Sequence, residues 1–262
     1  MAGRVAPGVS PVARAALVNG RRDWLFLINS FLITCEHGGN RIPAPYRRLF
    51  RGRRGLLDSH RGYDSGALVM ARELAASFRA PLVTSTVSRL LVDLNRSIGH
   101  PQLFSAATRG AAPELRPNIL VRHYRPYRAQ VERLVRQSVS RGRRVIHIAS
   151  HSFTPDLHGK VRRADVGLLY HPGRSGEARL CARWKAALAA LAPALRVRRN
   201  YPYAGKGDGL TACLRQRFPP GAYVGIELEV NQGIVRAADG RWAALRGALI
   251  DSLRAACAPG GS

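Results

Sequence analysis

One stretch, Phe31-Leu-Ile-Thr-Cys-Glu-His-Gly-Gly-Asn40, constrains the fold more than any other. An apolar run from Trp24 to Ile33 reads as a buried strand, and it stops abruptly at Cys35, Glu36, His37 and a Gly-Gly pair. β-branched and aromatic residues favour the strand, and two glycines let the backbone turn sharply after it. His37 is thereby set at the carboxyl end of a strand, the edge of an open α/β sheet where ligands bind. A lone histidine there more often caps a turn than performs chemistry. Four later stretches change the balance, because each puts a polar, metal- or substrate-competent group at the end of another apolar run.

Strand and helix patterns alternate along the chain. The helical period appears over 66–78, with Leu68, Ala71, Leu74 and Ala75 on one face and Asp64 or Ser65 as its cap. It recurs over 126–140, 176–191 and 241–256. Strands are expected over 80–87, 90–94, 144–149, 165–170, 195–198 and 223–230. The strand over 144–149 ends in Ser150-His151-Ser152-Phe153, and the last strand carries Glu227 and Glu229. A basic loop over 159–163 and a glycine-rich loop over 200–209 lie between. This alternation predicts an α/β fold, a largely parallel or mixed sheet with helices on both faces. No Pro/Gly/Ser-rich linker divides the chain. Residues 1–22, which lack any acidic residue, read as a disordered basic extension before a single domain over 23–258.

The formal net charge of +26 raises nucleic-acid binding as a function. Only Lys160, Lys185 and Lys206 among the 42 basic residues are lysine, however, and the arginines are spread along the chain. Such one-sided arginine use fits a compositional bias better than a selected patch, so no nucleic-acid partner is expected. No apolar run approaches the roughly 20 residues that span a bilayer. The four cysteines form no CxxC pair and no signal-peptide pattern precedes them, which predicts free thiols in the cytoplasm.

His37 and His151 follow buried runs, and small residues after them leave the rings accessible. Asp64 and Glu229 hold comparable positions. Two imidazoles and one carboxylate form a common shell for catalytic Zn²⁺, and a further carboxylate is needed as base. The helical His-Glu-x-x-His motif is absent, as is the Gly-x-Ser-x-Gly elbow of serine hydrolases. Cys35 reads as a buried strand residue rather than a nucleophile paired with His37. Gly205-Lys-Gly-Asp-Gly209 lacks the Walker pattern and a strand directly before it, so it reads as a mobile substrate loop. In Asn95-Arg96 the guanidinium fork suits a substrate carboxylate, whereas Asp93 is as easily structural.

Five motifs then fall into place together: Thr34-Cys-Glu-His-Gly-Gly-Asn-Arg-Ile-Pro43, His60-Arg-Gly-Tyr-Asp64, Val92-Asp-Leu-Asn-Arg-Ser97, Ser150-His-Ser-Phe153 and Gly225-Ile-Glu-Leu-Glu-Val-Asn-Gln232. In this order they resemble the N-formylglutamate amidohydrolase family. The resemblance implies a zinc-carboxypeptidase-like fold: three layers, with a mixed, twisted central sheet flanked by helices. It implies metal-dependent hydrolysis of a small-molecule N-acyl amino acid, typically N-formyl-L-glutamate to formate and glutamate. It makes His37 and His151 zinc ligands, Glu229 the catalytic base with Glu227 as competitor, and Asn95 with Arg96 the holder of a substrate carboxylate. The wider carboxypeptidase group has a His-x-x-Glu ligand pair, but the position three after His37 is Asn40. The acidic ligand is therefore expected from elsewhere, from Asp64 first and Glu36 second. Arg162 is expected at the substrate carbonyl, and Tyr203 and Lys206 are expected to touch the substrate from a closing loop.

Overall fold

The computed structural model describes residues 29–258. The first strand, β1 (Asn29–Cys35), is buried on alternating faces: Phe31, Ile33 and Cys35 pack into one core and Leu32 into another. The first part of the expected strand, 24–28, and the extension over 1–22 lie outside the described residues. A 3₁₀ turn over Ala44–Phe50 buries Tyr46 and Phe50. Helix α1 (Ala67–Ser77) follows, with Met70, Ala71 and Leu74 inaccessible. Its N-cap is Gly66 rather than Asp64 or Ser65, and no side chain caps it. Gly66 has φ +80°, and a Cβ there would lie 2.6 Å from Val235 Cγ1, so the turn demands glycine twice over.

The strand expected over 80–87 shrinks to β2 (Leu82–Thr84). The strand expected over 90–94 does not form. Its backbone is tied locally instead, Leu91 N–H to Ser88 O at 2.9 Å and Asp93 N–H to Leu103 O at 2.9 Å. Leu90, Leu91, Val92 and Leu94 are buried all the same. An apolar run therefore marked burial there, not extended pairing. Helix α2 (Arg125–Ser140) buries Tyr127, Val131 and Val135, one per turn, on the face toward the sheet. Strand β3 (Arg144–Phe153) runs four residues past its expected end, so His151 lies within a strand and not after one.

The basic loop contains a small hairpin, β4 (Asp156–Leu157) and β5 (Lys160–Val161). Then come β6 (Val166–Leu169), α3 (Ser175–Leu191), β7 (Val197–Arg199), an unforeseen α4 (Leu210–Arg217), β8 (Tyr223–Asn231) and α5 (Arg241–Cys257). The six-stranded sheet has the order β2-β1-β3-β8-β6-β7. Its neighbours are parallel except for β6 against β8. The mixed α/β sheet expected from the sequence is present.

Helices α1, α3 and α5 cover one face, with Trp184 and Leu249 fully buried. The indole N–H of Trp184 donates to Ser252 Oγ at 3.0 Å, so burying that large ring leaves no donor unmet. Helices α2 and α4 cover the other face, where Val131, Val135 and Leu214 meet Leu32, Val145 and Tyr223. Among the described residues no helix is long and apolar enough to cross a membrane.

Candidate functional site

The parallel strands β1 and β3 deliver their carboxyl ends side by side, in the register Thr34 to Ala149. Register between β3 and β8 then sets His151 directly beside Glu229, and Ala149 beside Glu227. A two-residue period puts His151, Glu227 and Glu229 on the face toward α2. His37 follows β1 in a turn locked by Gly39, where a Cβ would come within 2.8 Å of Thr86 O. These glycines serve close backbone approach rather than a left-handed conformation. The backbone N–H of Asp64 donates to His37 O at 2.9 Å, which brings the loop before α1 onto the same spot.

Donor atoms of His37, Asp64 and His151 all lie within 4.8 Å of one another, and all three residues are buried. Asp64 Oδ2 is 3.3 Å from His37 Nδ1 and 2.9 Å from His151 Nδ1. Behind each ring stands another carboxylate. His37 Nε2 is 2.7 Å from Asp93 Oδ1, and His151 Nε2 is 3.0 Å from Glu36 Oε2. The second contact is close but not aligned as a hydrogen bond. A proton held on Nε2 against such a carboxylate leaves Nδ1 free to ligate. Glu36 faces the opposite nitrogen of His151 from Asp64, and its other oxygen accepts from Tyr127 Oη at 2.9 Å.

The electrostatics follow from burial against pairing. Burial opposes ionisation of Glu36, yet His151 holds its carboxyl down at about 2. Asp64 is likewise held below the usual carboxylate range, against burial, by His37, His151 and Arg89. Both histidines are raised: burial and, at His37, Arg89 oppose this, but the surrounding carboxylates outweigh them. Glu229 moves the other way. Burial first, then Asp64 and Glu227, push it up to about 8, and its Oε2 has no hydrogen-bond partner.

Whether a metal suits this site is a question of charge and donors. With neutral imidazoles, Glu36, Asp64 and Asp93 against Arg89 leave two buried negative charges, which a divalent cation offsets. Two nitrogen donors and one oxygen suit zinc, and Glu229 supplies a further unengaged buried oxygen beside them. The residues fit the group.

The remaining expected site residues are more dispersed. Glu227 Oε1 accepts from Thr211 Oγ1 at 2.7 Å. Asn95 Oδ1 accepts the Leu210 N–H at 2.6 Å, at the start of α4, and Arg96 Nη1 donates to Asp208 O at 3.3 Å. Arg162, just after the hairpin, donates to Tyr203 Oη at 3.1 Å, its guanidinium 5.0 Å from that ring's centre. Lys206 is exposed. Three residues were not read as functional from sequence: Arg89, Asp93 as the carboxylate behind His37, and Tyr127. Arg89 was hidden by the sheer number of arginines. Its place four residues before Asp93 was the available signal.

The comparisons with known proteins agree with this fold. The chain superposes on the gene product Atu2144 of Agrobacterium tumefaciens with a TM-score of 0.75 and 30% identity, covering 87% of this chain and 90% of that one. It shares its fold with an N-formylglutamate amidohydrolase from Ralstonia eutropha JMP134, at a TM-score of 0.61 and 18% identity, covering 87% and 93%. No curated protein matches the chain. The family model for N-formylglutamate amidohydrolase matches residues 29–235, which carry every strand among the described residues together with His37 and His151, and the chain belongs to that amidohydrolase family.

Proposed function

We propose that this amidohydrolase cleaves the amide of an N-acyl amino acid, N-formyl-L-glutamate first among them, using zinc held by His37, Asp64 and His151. One observation carries the reading: the Nδ1 atoms of both histidines converge on one oxygen of Asp64, beside a buried Glu229 oxygen with no partner. Zinc bound there supplies Lewis acidity, polarising a carbonyl and making water acidic enough to attack at neutral pH.

The chain's own groups do the rest. Glu229 accepts the proton of the attacking water at Oε2 and passes it to the leaving nitrogen. Its raised pKa suits both halves of that task. Metal-free, it holds a proton at neutral pH; a cation nearby favours the ionised form that acts as base. Water adds to the formyl carbon, the carbon–nitrogen bond breaks, and formate and glutamate leave. Arg96 with Asn95 anchors a substrate carboxylate through the guanidinium fork. Arg162 supports the carbonyl, and Tyr203 and Lys206 contact the substrate from the 200–209 loop. The four cysteines are free thiols, in keeping with a cytoplasmic enzyme.

The test is metal content and formate release on the same purified protein. About one zinc per chain, with formate released from N-formylglutamate, is the expected result. Zinc without formate, but turnover of another N-acyl amino acid, moves the substrate and keeps the mechanism. No zinc bound after reconstitution overturns it.

A further inference from the structure

We infer that Arg89 is a positioning residue that, through Asp93, fixes the metal-ligating histidine and the substrate-facing segment as one unit. The inference rests on the reading of His37, Asp64 and His151 as a metal site. Arg89 Nε and Nη2 both donate to Asp93 Oδ2, at 3.2 and 2.7 Å, and Nη1 donates to Asp64 Oδ1 at 3.4 Å. Only the far oxygen of Asp64 is engaged this way, so Oδ2 keeps its place between the two histidines.

Asp93 then distributes what Arg89 holds. Its Oδ1 faces His37 Nε2 at 2.7 Å and accepts the backbone N–H of Asn95 at 2.9 Å. The Asn95 side chain holds the first N–H of α4, and Arg96 Nη1 holds Asp208 O in the glycine-rich loop. One guanidinium therefore lies at the root of two branches, one ending on a metal ligand and one on the segment proposed to grip the substrate. The loop carrying Asp64 is tied in as well, since Arg89 N–H and Ser88 Oγ donate to Gly62 O at 3.3 and 2.8 Å. A lysine cannot replace this geometry. The planar fork gives two donors to one carboxylate and a third to another, whereas an ammonium is a single point charge. The carboxylates it grips are only 4% and 6% exposed, which separates Arg89 from the surface arginines around it.

The experiment measures zinc affinity by chelator competition for wild type, Arg89→Met, Arg89→Lys, Asp93→Asn and the Arg89→Met/Asp93→Asn double variant, with a melting curve for each. Arg89→Met and Asp93→Asn are expected to bind zinc about 10–100-fold more weakly. The double variant is expected to fall below Asp93→Asn by much less than Arg89→Met loses on its own, because the short contacts of Arg89 are to Asp93 and its contact with Asp64 is long at 3.4 Å. Arg89→Lys, which keeps the charge, falls between and stands in if Arg89→Met does not fold. At saturating zinc, KM for N-formylglutamate should rise more than kcat falls, since Asn95 and Arg96 lose their anchor. Wild-type zinc affinity in both arginine variants, or losses that add in the double variant, overturns the inference. A wild-type protein that binds no zinc overturns the metal reading itself, and this with it, as a separate outcome.

Discussion

The proposed metal-ligating end and the proposed substrate-facing side of the site are built in opposite ways. His37, Asp64, His151 and Glu229 are buried, stand on or beside central strands, and are braced by Asp93, Glu36, Arg89 and Tyr127. Arg96, Arg162, Tyr203 and Lys206 sit on loops; Arg162 and Tyr203 hold each other, and Arg96 holds a backbone oxygen. Strand register fixes the first group before any ligand arrives. The second group depends on loop contacts, each worth about 1 kcal/mol. Chemistry that tolerates little displacement is placed on the sheet, and recognition that varies with substrate is left to the loops.

The largest effect that tests this contrast belongs to the buried half. Glu229→Gln keeps the shape of the side chain and removes the base. It should lower kcat by about 10²–10⁴-fold while leaving zinc content unchanged. Elemental analysis beside a formate assay checks it. Near-normal turnover in this variant would move the base to Glu227, which the structure otherwise occupies with Thr211.

Arg96→Met probes the other half. Losing a charged hydrogen-bond partner costs about 1.5–3 kcal/mol, so KM should rise roughly 10–100-fold with kcat little changed. An equal fall in kcat, with zinc still bound, would mean that Arg96 acts on the reacting centre, and the division between the two halves would fail.

How far the sequence showed this division follows from the forces involved. Apolar runs gave β1, β3 and β8 because central parallel strands are buried on both faces and must be apolar. From those strand ends the convergence of His37 and His151 could be anticipated. The same logic misfired over 90–94, where Leu90, Leu91, Val92 and Leu94 are buried in irregular backbone. Periodicity reports burial, not pairing. Helix α4 was missed because its start depends on a side chain 115 residues away, Asn95 capping Leu210. The bracing carboxylates escaped for a like reason. Glu36 and Asp93 differ from Asp64 in which histidine nitrogen they face, and no spacing in the chain records that.

A third test asks how deep the rigid half extends. His147, fully buried two pleat repeats before His151, links Thr34 Oγ1 at 2.8 Å to Tyr223 Oη at 2.7 Å across β1, β3 and β8. Burial pushes its pKa from 6.5 down to about 4. Because charging it is unfavourable in the folded state, its stability is fully present above pH 6.5 and is lost as pH falls toward 4. The shift amounts to about 3 kcal/mol. Denaturant titrations of metal-free wild type and His147→Gln at pH 7 and pH 4.5 should show a smaller acid loss in the variant. Equal acid losses would place the sensitive group elsewhere.

The smallest effect is expected at Tyr203, and its size matters more than its direction. The Arg162–Tyr203 contact joins the segment after the hairpin to the glycine-rich loop, with Tyr203 48% exposed. A hydroxyl in that setting contributes about 0.5–1 kcal/mol, so Tyr203→Phe should change kcat/KM by no more than about fivefold. Tyr203→Ala also removes the ring that Arg162 stacks on and should cost somewhat more. If Tyr203→Phe alone lost 100-fold or more, that hydroxyl would have to contact the reacting atoms. The exposed loop would then belong to the chemistry, and rigidity would no longer mark where the chemistry ends.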